Sequence, residues 1–162
     1  GSEAEPDQLE QLGRISQSCR RWGMPLLAMM YPRGPKIKVP TSPKVVNVAS
    51  RVGAELGADL IKTYYTGDVE SFRKITKGCP KPILIAGGPK MDTREELLQM
   101  VYEAVVEGGA MGISIGRNVF QDEDPQHLLE ALTKIVHEQY TVKEAISDTN
   151  FDKKKVRAGA MA

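Results

Sequence analysis

The segment ADLIKTYY, Ala58 to Tyr65, decides the fold class, because it is a short apolar run interrupted by a single lysine. Such runs are typical of parallel β-strands that are covered by helices on both faces. Three further runs of this kind occur in the chain: MPLLAMMY at Met24–Tyr31, PILIA at Pro82–Ala86 and AMGISI at Ala110–Ile115. The sequence therefore predicts four parallel strands.

Helical patterns separate these runs, so the chain is interpreted as a βα unit repeated four times. The helix at 93–107 has the clearest start and stop signals. Thr93 precedes it, Glu95 and Glu96 occupy its first turn, and a glycine pair follows it. We expect one α/β domain over residues 1–147 and a mobile basic tail over residues 148–162. The predicted helices are Asp7–Trp22, Pro43–Leu56, Val69–Thr76, Thr93–Glu107, Pro125–Gln139 and Val142–Ile146.

The composition gives no overall charge that favours nucleic acid. The 22 Lys and Arg residues stand against 21 Asp and Glu residues, for a net charge of +1. No run approaches the ~20 apolar residues of a membrane span, and Gly1–Gln11 lacks the apolar core of a secretory signal. We therefore expect a cytoplasmic protein that binds neither membrane nor nucleic acid, with Cys19 and Cys79 as reduced structural thiols.

Lys62 is the sharpest candidate for chemistry, because it interrupts an apolar strand between Ile61 and Thr63. Burial favours the neutral amine, which is the form that attacks a ketone. The alternative is a structural lysine whose stem packs while its ammonium group reaches water or pairs with a carboxylate.

Tyr31 and Arg33 follow the first predicted strand, at the end where parallel α/β folds place their active sites. The Tyr31 phenol would suit proton transfer near Lys62, although an aromatic packing residue is the alternative. The Arg33 guanidinium would suit a phosphate or carboxylate, with a solvent-facing loop arginine as an equal competitor.

Two glycine pairs follow the third and fourth predicted strands. Gly87-Gly88 would let the backbone approach a ligand closely, and Gly116-Arg117 precedes a predicted helical turn at Asn118–Phe120. If these are the last two strands of a barrel, the pairs coincide with a common phosphate site. Glycine that serves only the turns is the alternative.

The remaining candidates are weaker. We interpret His127 and His137 as surface histidines, and Tyr64, Tyr65 and Phe72 as core or wall residues. No carboxylate or histidine cluster indicates a metal, so neither a metal nor another cofactor is predicted.

Four segments together resemble the archaeal-type class I aldolases, within the deoxyribose-phosphate and fructose-bisphosphate aldolase barrels. The resemblance extends from about Glu10 to Ile146. The segments are GMPLLAMMYPRG at Gly23–Gly34, GAELGADLIKTYYTGD at Gly53–Asp68, ILIAGGPK at Ile83–Lys90 and GISIGRNVFQ at Gly112–Gln121.

The resemblance implies a TIM (β/α)8 barrel, of which the chain supplies the C-terminal (βα)4 half. It implies that Lys62 forms the Schiff base and that Tyr31 donates the proton. The residues implied to contact the substrate or its phosphate are Pro32, Arg33, Gly87, Gly88, Gly116 and Arg117.

The implied activity is class I aldolase or transaldolase chemistry on a phosphorylated keto-sugar with an aldehyde acceptor. The segments are most like the members that use L-aspartate semialdehyde as acceptor, in a pathway to dehydroquinate and aromatic amino acids. Fructose-1,6-bisphosphate cleavage is the first alternative, and a non-catalytic phosphate-binding half-barrel is the second.

If the resemblance holds, we expect the given sequence to lack the family's first half-barrel, together with an aspartate that the family uses near the lysine. We therefore expect either pairing with a separate half-barrel or a homo-oligomer. A truncated gene product is a third possibility.

Overall fold

A computed structural model describes residues 1–149 of the chain, and the predicted α/β arrangement of four βα units is confirmed. A π-helical turn, Glu103–Glu107, continues α4. In chain order the elements are α1 Glu5–Trp22, β1 Leu27–Met29, α2 Pro43–Glu55, β2 Leu60–Thr63, α3 Val69–Gly78, β3 Ile83–Ala86, α4 Arg94–Tyr102, β4 Gly112–Ser114, α5 Arg117–Phe120, α6 Pro125–Glu138 and α7 Val142–Asp148.

The four strands form one parallel sheet in the order β1-β2-β3-β4. Each strand therefore pairs with the next one along the chain. This is the order of consecutive strands in a βα barrel, whereas a doubly wound sheet reverses its order at a switch point.

The two faces of the sheet differ in burial. Ile61, Ile83 and Ile85 lie on the face covered by helices, and each is at most 2% exposed. The opposite face, which we call the open face, carries Leu27 and Met29, which are 39% and 63% exposed. Helices cover only one face of this sheet. The apolar runs are typical of strands covered by helices on both faces, and that expectation is wrong here.

Helix boundaries follow local capping chemistry. The Thr93 hydroxyl accepts from the Glu96 N–H at 3.2 Å, and the Glu96 carboxylate accepts from the Thr93 N–H, which forms a capping box at the start of α4. Gly23, with φ of 63°, ends α1 in the left-handed conformation. Capping of this kind defines the start of α4 and the end of α1.

Several boundaries differ from the sequence prediction. The run Met24–Tyr31 yields a strand of only three residues, Leu27–Met29, because only those residues pair with β2. The predicted helix at 93–107 is divided into α4 and the π-helical turn. α7 extends to Asp148, and Thr149 is 7% exposed, whereas residues 150–162 of the predicted tail lie outside the described residues.

None of the helices within residues 1–149 combines the length and the apolar composition of a membrane-spanning segment. The cytoplasmic location stays a prediction.

Candidate active site

Lys62 lies on the open face of the sheet. Its neighbours in β2, Ile61 and Thr63, are fully buried on the other face, and its register partner in β1 is the exposed Met29. Lys62 is therefore only partly buried. The sequence led us to expect a more enclosed lysine, and the difference arises because no helix covers this face.

Tyr31 lies beside the end of β2, next to the strand that carries Lys62. The Met30 N–H donates to the Lys62 carbonyl at 2.8 Å, and the Thr63 hydroxyl donates to the Met30 carbonyl at 2.9 Å. These two bonds hold the backbone preceding Tyr31 against β2. The register of β1 and β2 thus supports the prediction that the Tyr31 phenol lies near Lys62.

A second tyrosine, Tyr64, completes a cluster with Tyr31 and Arg33. The rings of Tyr31 and Tyr64 stack with centroids 4.8 Å apart. The Arg33 Nε donates to the Tyr64 hydroxyl at 2.7 Å, and the Arg33 Cζ lies 4.9 Å from the Tyr31 ring centroid. The interpretation of Tyr64 as a simple core or wall residue was incomplete, because its hydroxyl accepts from Arg33.

The cluster influences the ionisation of Tyr31. Burial, followed by the neighbouring Tyr64, raises the pKa of Tyr31 above its usual value, and Arg33 opposes this only in part. Tyr31, like any tyrosine with an ordinary pKa, is protonated at neutral pH and can donate a proton, and its raised pKa extends this form to higher pH.

The two glycine loops lie together at the ends of β3 and β4. An Arg117 guanidinium nitrogen donates to the Gly88 carbonyl at 3.0 Å. Gly88 has φ of 64°, which favours glycine, and a Cβ on Gly87 would lie 2.6 Å from Cγ2 of Ile115. The structure thus brings Gly87, Gly88, Gly116 and Arg117 together, and phosphate binding there stays a prediction.

Two further links join these loops. The Lys90 ammonium group donates to the Gln121 carbonyl at 2.8 Å. The Arg94 guanidinium forms a bidentate pair with Asp122 at 2.8 and 2.5 Å. Burial alone would raise the pKa of Asp122, but the hydrogen bond from Arg94 helps to hold that pKa below its usual value.

The histidines lie apart from this region. His137 is exposed as predicted, whereas His127 is partly buried and its Nδ1 lies 2.9 Å from an Asp124 carboxylate oxygen. His127 is thus at the surface but partly buried against Asp124. Residues 1–149 contain no cluster of three or more metal-ligating side chains.

Comparison with known proteins identifies relatives of the chain. Residues 1–122 match the family model described as DeoC/LacD family aldolase. A 2-amino-4,5-dihydroxy-6-oxo-7-(phosphonooxy)heptanoate synthase of Streptomyces griseus is 43% identical over 141 residues, which cover 87% of this chain and 51% of that protein. A 2-amino-3,7-dideoxy-D-threo-hept-6-ulosonate synthase of Archaeoglobus fulgidus is 40% identical over 146 residues, which cover 90% of this chain and 53% of that protein.

A solved structure of a Schiff-base-forming fructose-1,6-bisphosphate aldolase has a TM-score of 0.81 and 39% sequence identity to this chain. The match covers 85% of this chain and 55% of that one. The chain thus spans about half the length of the curated relatives and solved structures described above.

Proposed function

Because the chain belongs to the DeoC/LacD family of aldolases, we propose that Lys62 is the Schiff-base nucleophile of a class I aldolase or transaldolase. The observation that carries this proposal is the position of Lys62. It is a lysine on the open face of the sheet, beside the strand that leads into Tyr31. The likeness to a Schiff-base-forming aldolase at 39% identity supports the same chemistry.

In the proposed reaction, the Lys62 amine adds to the ketone carbon of a phosphorylated keto-sugar, and loss of water leaves an iminium. The hydroxyl group on the far side of the scissile carbon–carbon bond loses its proton, and that bond breaks. Its electron pair passes into the iminium, which becomes an enamine, and an aldehyde leaves. The enamine carbon then adds to an acceptor aldehyde, and water releases the product and restores the amine.

Tyr31 is the proposed proton carrier in these steps. A phenol, which is protonated at neutral pH, can donate to the carbinolamine hydroxyl as water leaves. Arg33 and Tyr64 hold the Tyr31 ring by stacking and by the cation above its face. Pro32 and Arg33 form the proposed substrate-contacting segment that follows Tyr31.

The substrate phosphate is proposed to bind at the two glycine loops, through Gly87, Gly88, Gly116 and Arg117. Arg117 is exposed and supplies positive charge beside backbone that glycine leaves open. The contact between Arg117 and Gly88 supports a single site rather than two separate turns.

The names of the relatives support a particular acceptor. A 2-amino-4,5-dihydroxy-6-oxo-7-(phosphonooxy)heptanoate can be divided between C4 and C5. C1–C4 are then L-aspartate semialdehyde, and C5–C7 are dihydroxyacetone phosphate. The hept-6-ulosonate shares the seven-carbon 2-amino skeleton but lacks oxygen at C7. We therefore propose transfer of a donor fragment to L-aspartate semialdehyde, as in the pathway to dehydroquinate and aromatic amino acids.

Cleavage of fructose 1,6-bisphosphate is the second candidate, which the likeness to the solved aldolase favours. The two activities would share Lys62 and Tyr31 and would differ in the acceptor. A non-catalytic phosphate-binding half-barrel is the alternative that the open face supports, since Leu27 and Met29 lack a covering layer.

The open face also supports a partner. Exposed apolar side chains on a sheet favour association, and the matched relatives have about twice the matched length. We propose that a second half-barrel covers this face, either from the same polypeptide or from another copy of the chain.

The function is tested by incubating the protein with fructose 1,6-bisphosphate, with and without L-aspartate semialdehyde, and identifying products by mass spectrometry. The transaldolase proposal predicts a seven-carbon 2-amino keto acid that requires the semialdehyde. Triose phosphates formed equally with and without it would favour the simple aldolase. Absence of both products, with phosphate binding retained, would contradict both enzymes and favour the binding role. Lys62→Met is the control and should abolish either product.

A further inference from the structure

Asn118 lies in α5 directly after Arg117 and is only 5% exposed. Its side chain binds three backbone groups of the loop that follows β3. The Asn118 Nδ2 donates to the carbonyls of Gly87 at 2.9 Å and Pro89 at 3.0 Å, and its Oδ1 accepts from the Met91 N–H at 2.8 Å. One side chain thus joins α5 to residues 87–91 at three points.

These contacts occupy both donors of the amide and one acceptor site on its oxygen. The orientation is fixed, because the nitrogen faces two carbonyl acceptors and the oxygen faces an N–H donor. A buried amide with both N–H groups engaged in this way has none left to donate to a substrate. Its role is therefore exerted through the loop backbone.

We propose that Asn118 is a positioning residue that holds the loop 87–91 against α5, so that Gly87, Gly88 and Arg117 present one phosphate-binding surface. This inference rests on the phosphate site of the proposed function. The contact of Arg117 with Gly88 and that of Lys90 with Gln121 link the same two segments from other directions. Asn118 differs from these links because it is buried, whereas Lys90 and Arg117 are exposed.

The chemistry of the contacts explains why an amide is required. Aspartate has no donor for the two carbonyls, serine is too short to reach three groups, and leucine leaves all three groups without a partner. Loss of the amide would free the loop while leaving Lys62, which lies on another strand, able to attack a ketone. The expected consequence is weaker phosphate binding with unchanged lysine reactivity.

The first experiment is a titration with inorganic phosphate, followed by the amide resonances of Gly87, Gly88 and Gly116 in the whole chain. The variant is Asn118→Ala, and Val119→Ala is the matched control, since Val119 is its buried neighbour in α5. We expect phosphate affinity to fall about tenfold in Asn118→Ala, as for loss of one buried hydrogen-bonding group, and to stay within about twofold in Val119→Ala.

The second experiment compares borohydride trapping of hydroxyacetone, which has no phosphate, with trapping of dihydroxyacetone phosphate. In Asn118→Ala, trapping of the phosphorylated ketone at subsaturating concentration should fall about tenfold, while trapping of hydroxyacetone is unchanged. If the variant does not fold, amide exchange in the wild type replaces it. Phosphate should then slow hydrogen exchange of the Met91 N–H, which donates a hydrogen bond to Asn118.

Equal phosphate affinity in Asn118→Ala and Val119→Ala would overturn the inference. So would failure of phosphate to shift the three glycine resonances of the wild type, or, where the variant does not fold, failure to slow Met91 exchange. Absence of any hydroxyacetone adduct would count against the proposed lysine chemistry alone, because the phosphate titration reports on Asn118 independently.

Discussion

The rings of Tyr31 and Tyr64 stack with centroids 4.8 Å apart, at an interplanar angle of 27°. Tyr31 follows β1 and Tyr64 follows β2, so the stack bridges the ends of two neighbouring strands. Only one of the two hydroxyls, that of Tyr64, accepts a hydrogen bond from Arg33 in the structure. The two phenols therefore have different expected roles, with Tyr31 for proton transfer and Tyr64 for support.

Tyr31→Phe should keep the stack and remove the proton donor. We expect turnover to fall about 10²- to 10⁴-fold, the usual contribution of a general acid, while the trapped Lys62 adduct remains detectable. Steady-state kinetics and borohydride trapping of the same sample give the two values.

Tyr64→Phe is the matched variant, because it also removes one hydroxyl and keeps one ring of the stack. Its loss of turnover should be about tenfold or less, as for one supporting hydrogen bond. A larger loss in Tyr64→Phe than in Tyr31→Phe would exchange the roles of the two tyrosines.

Alkaline pH should destabilise the fold through Tyr65. Burial, followed by the hydrogen bond to Glu103, raises the pKa of Tyr65 far above its usual value. Below pH 10 the Tyr65 hydroxyl keeps its proton in both the folded and the unfolded protein, so its ionisation does not lower the free energy of unfolding. Between pH 10 and the raised pKa only the unfolded state loses it, so the free energy of unfolding falls by about 1.4 kcal/mol per pH unit.

Tyr65→Phe should remove that slope, at a cost of about 1 kcal/mol at pH 8 for the lost hydrogen bond. Urea unfolding at several pH values from 8 to 11 measures both quantities. An unchanged alkaline slope in Tyr65→Phe would show that another group is responsible.

Gly87→Ala should displace the loop after β3, because the added Cβ would lie 2.6 Å from Cγ2 of Ile115. We expect a loss of about 1–3 kcal/mol in the free energy of unfolding, as for other overpacked sites. The double variant Gly87→Ala/Ile115→Ala removes the two nearest atoms and should bind phosphate more tightly than Gly87→Ala alone. Thermal unfolding measures the stability of both variants, and a phosphate titration measures their affinity. If the double variant does not regain phosphate affinity relative to Gly87→Ala, a steric cause is contradicted.

The sequence was sufficient to predict the fold class and the placement of Lys62 within a strand, though not its exposure, because parallel strands and capped helices leave strong local patterns. Thr93 and Glu96 illustrate this, since both halves of their capping box are visible three residues apart. The two strand-end glycine pairs were predicted to lie at one site if β3 and β4 are the last two strands of a barrel, and the structure brings the pairs together.

The role of Tyr64 was missed, because it depends on a contact with residues about thirty positions earlier. The one available indication was its spacing of two from Lys62, which places both on one side of an extended strand. Asn118 was seen only as part of a predicted turn, and its three loop contacts arise from tertiary packing. The division of the helix at 93–107 into α4 and a π-helical turn also has no local sequence signature. The hydrogen bonds of a π-helix span only one residue more than those of an α-helix, so the sequence pattern is nearly the same.

The central claim is that Lys62 is the nucleophile, and borohydride trapping with dihydroxyacetone phosphate tests it most directly. Peptide mass spectrometry would locate the adduct in the wild type, in Lys62→Met and in Lys44→Met, which changes an exposed lysine of α2. The account predicts an adduct confined to Lys62, retained in Lys44→Met and absent from Lys62→Met. An adduct that persists in Lys62→Met, or none in a folded wild-type sample, would contradict it.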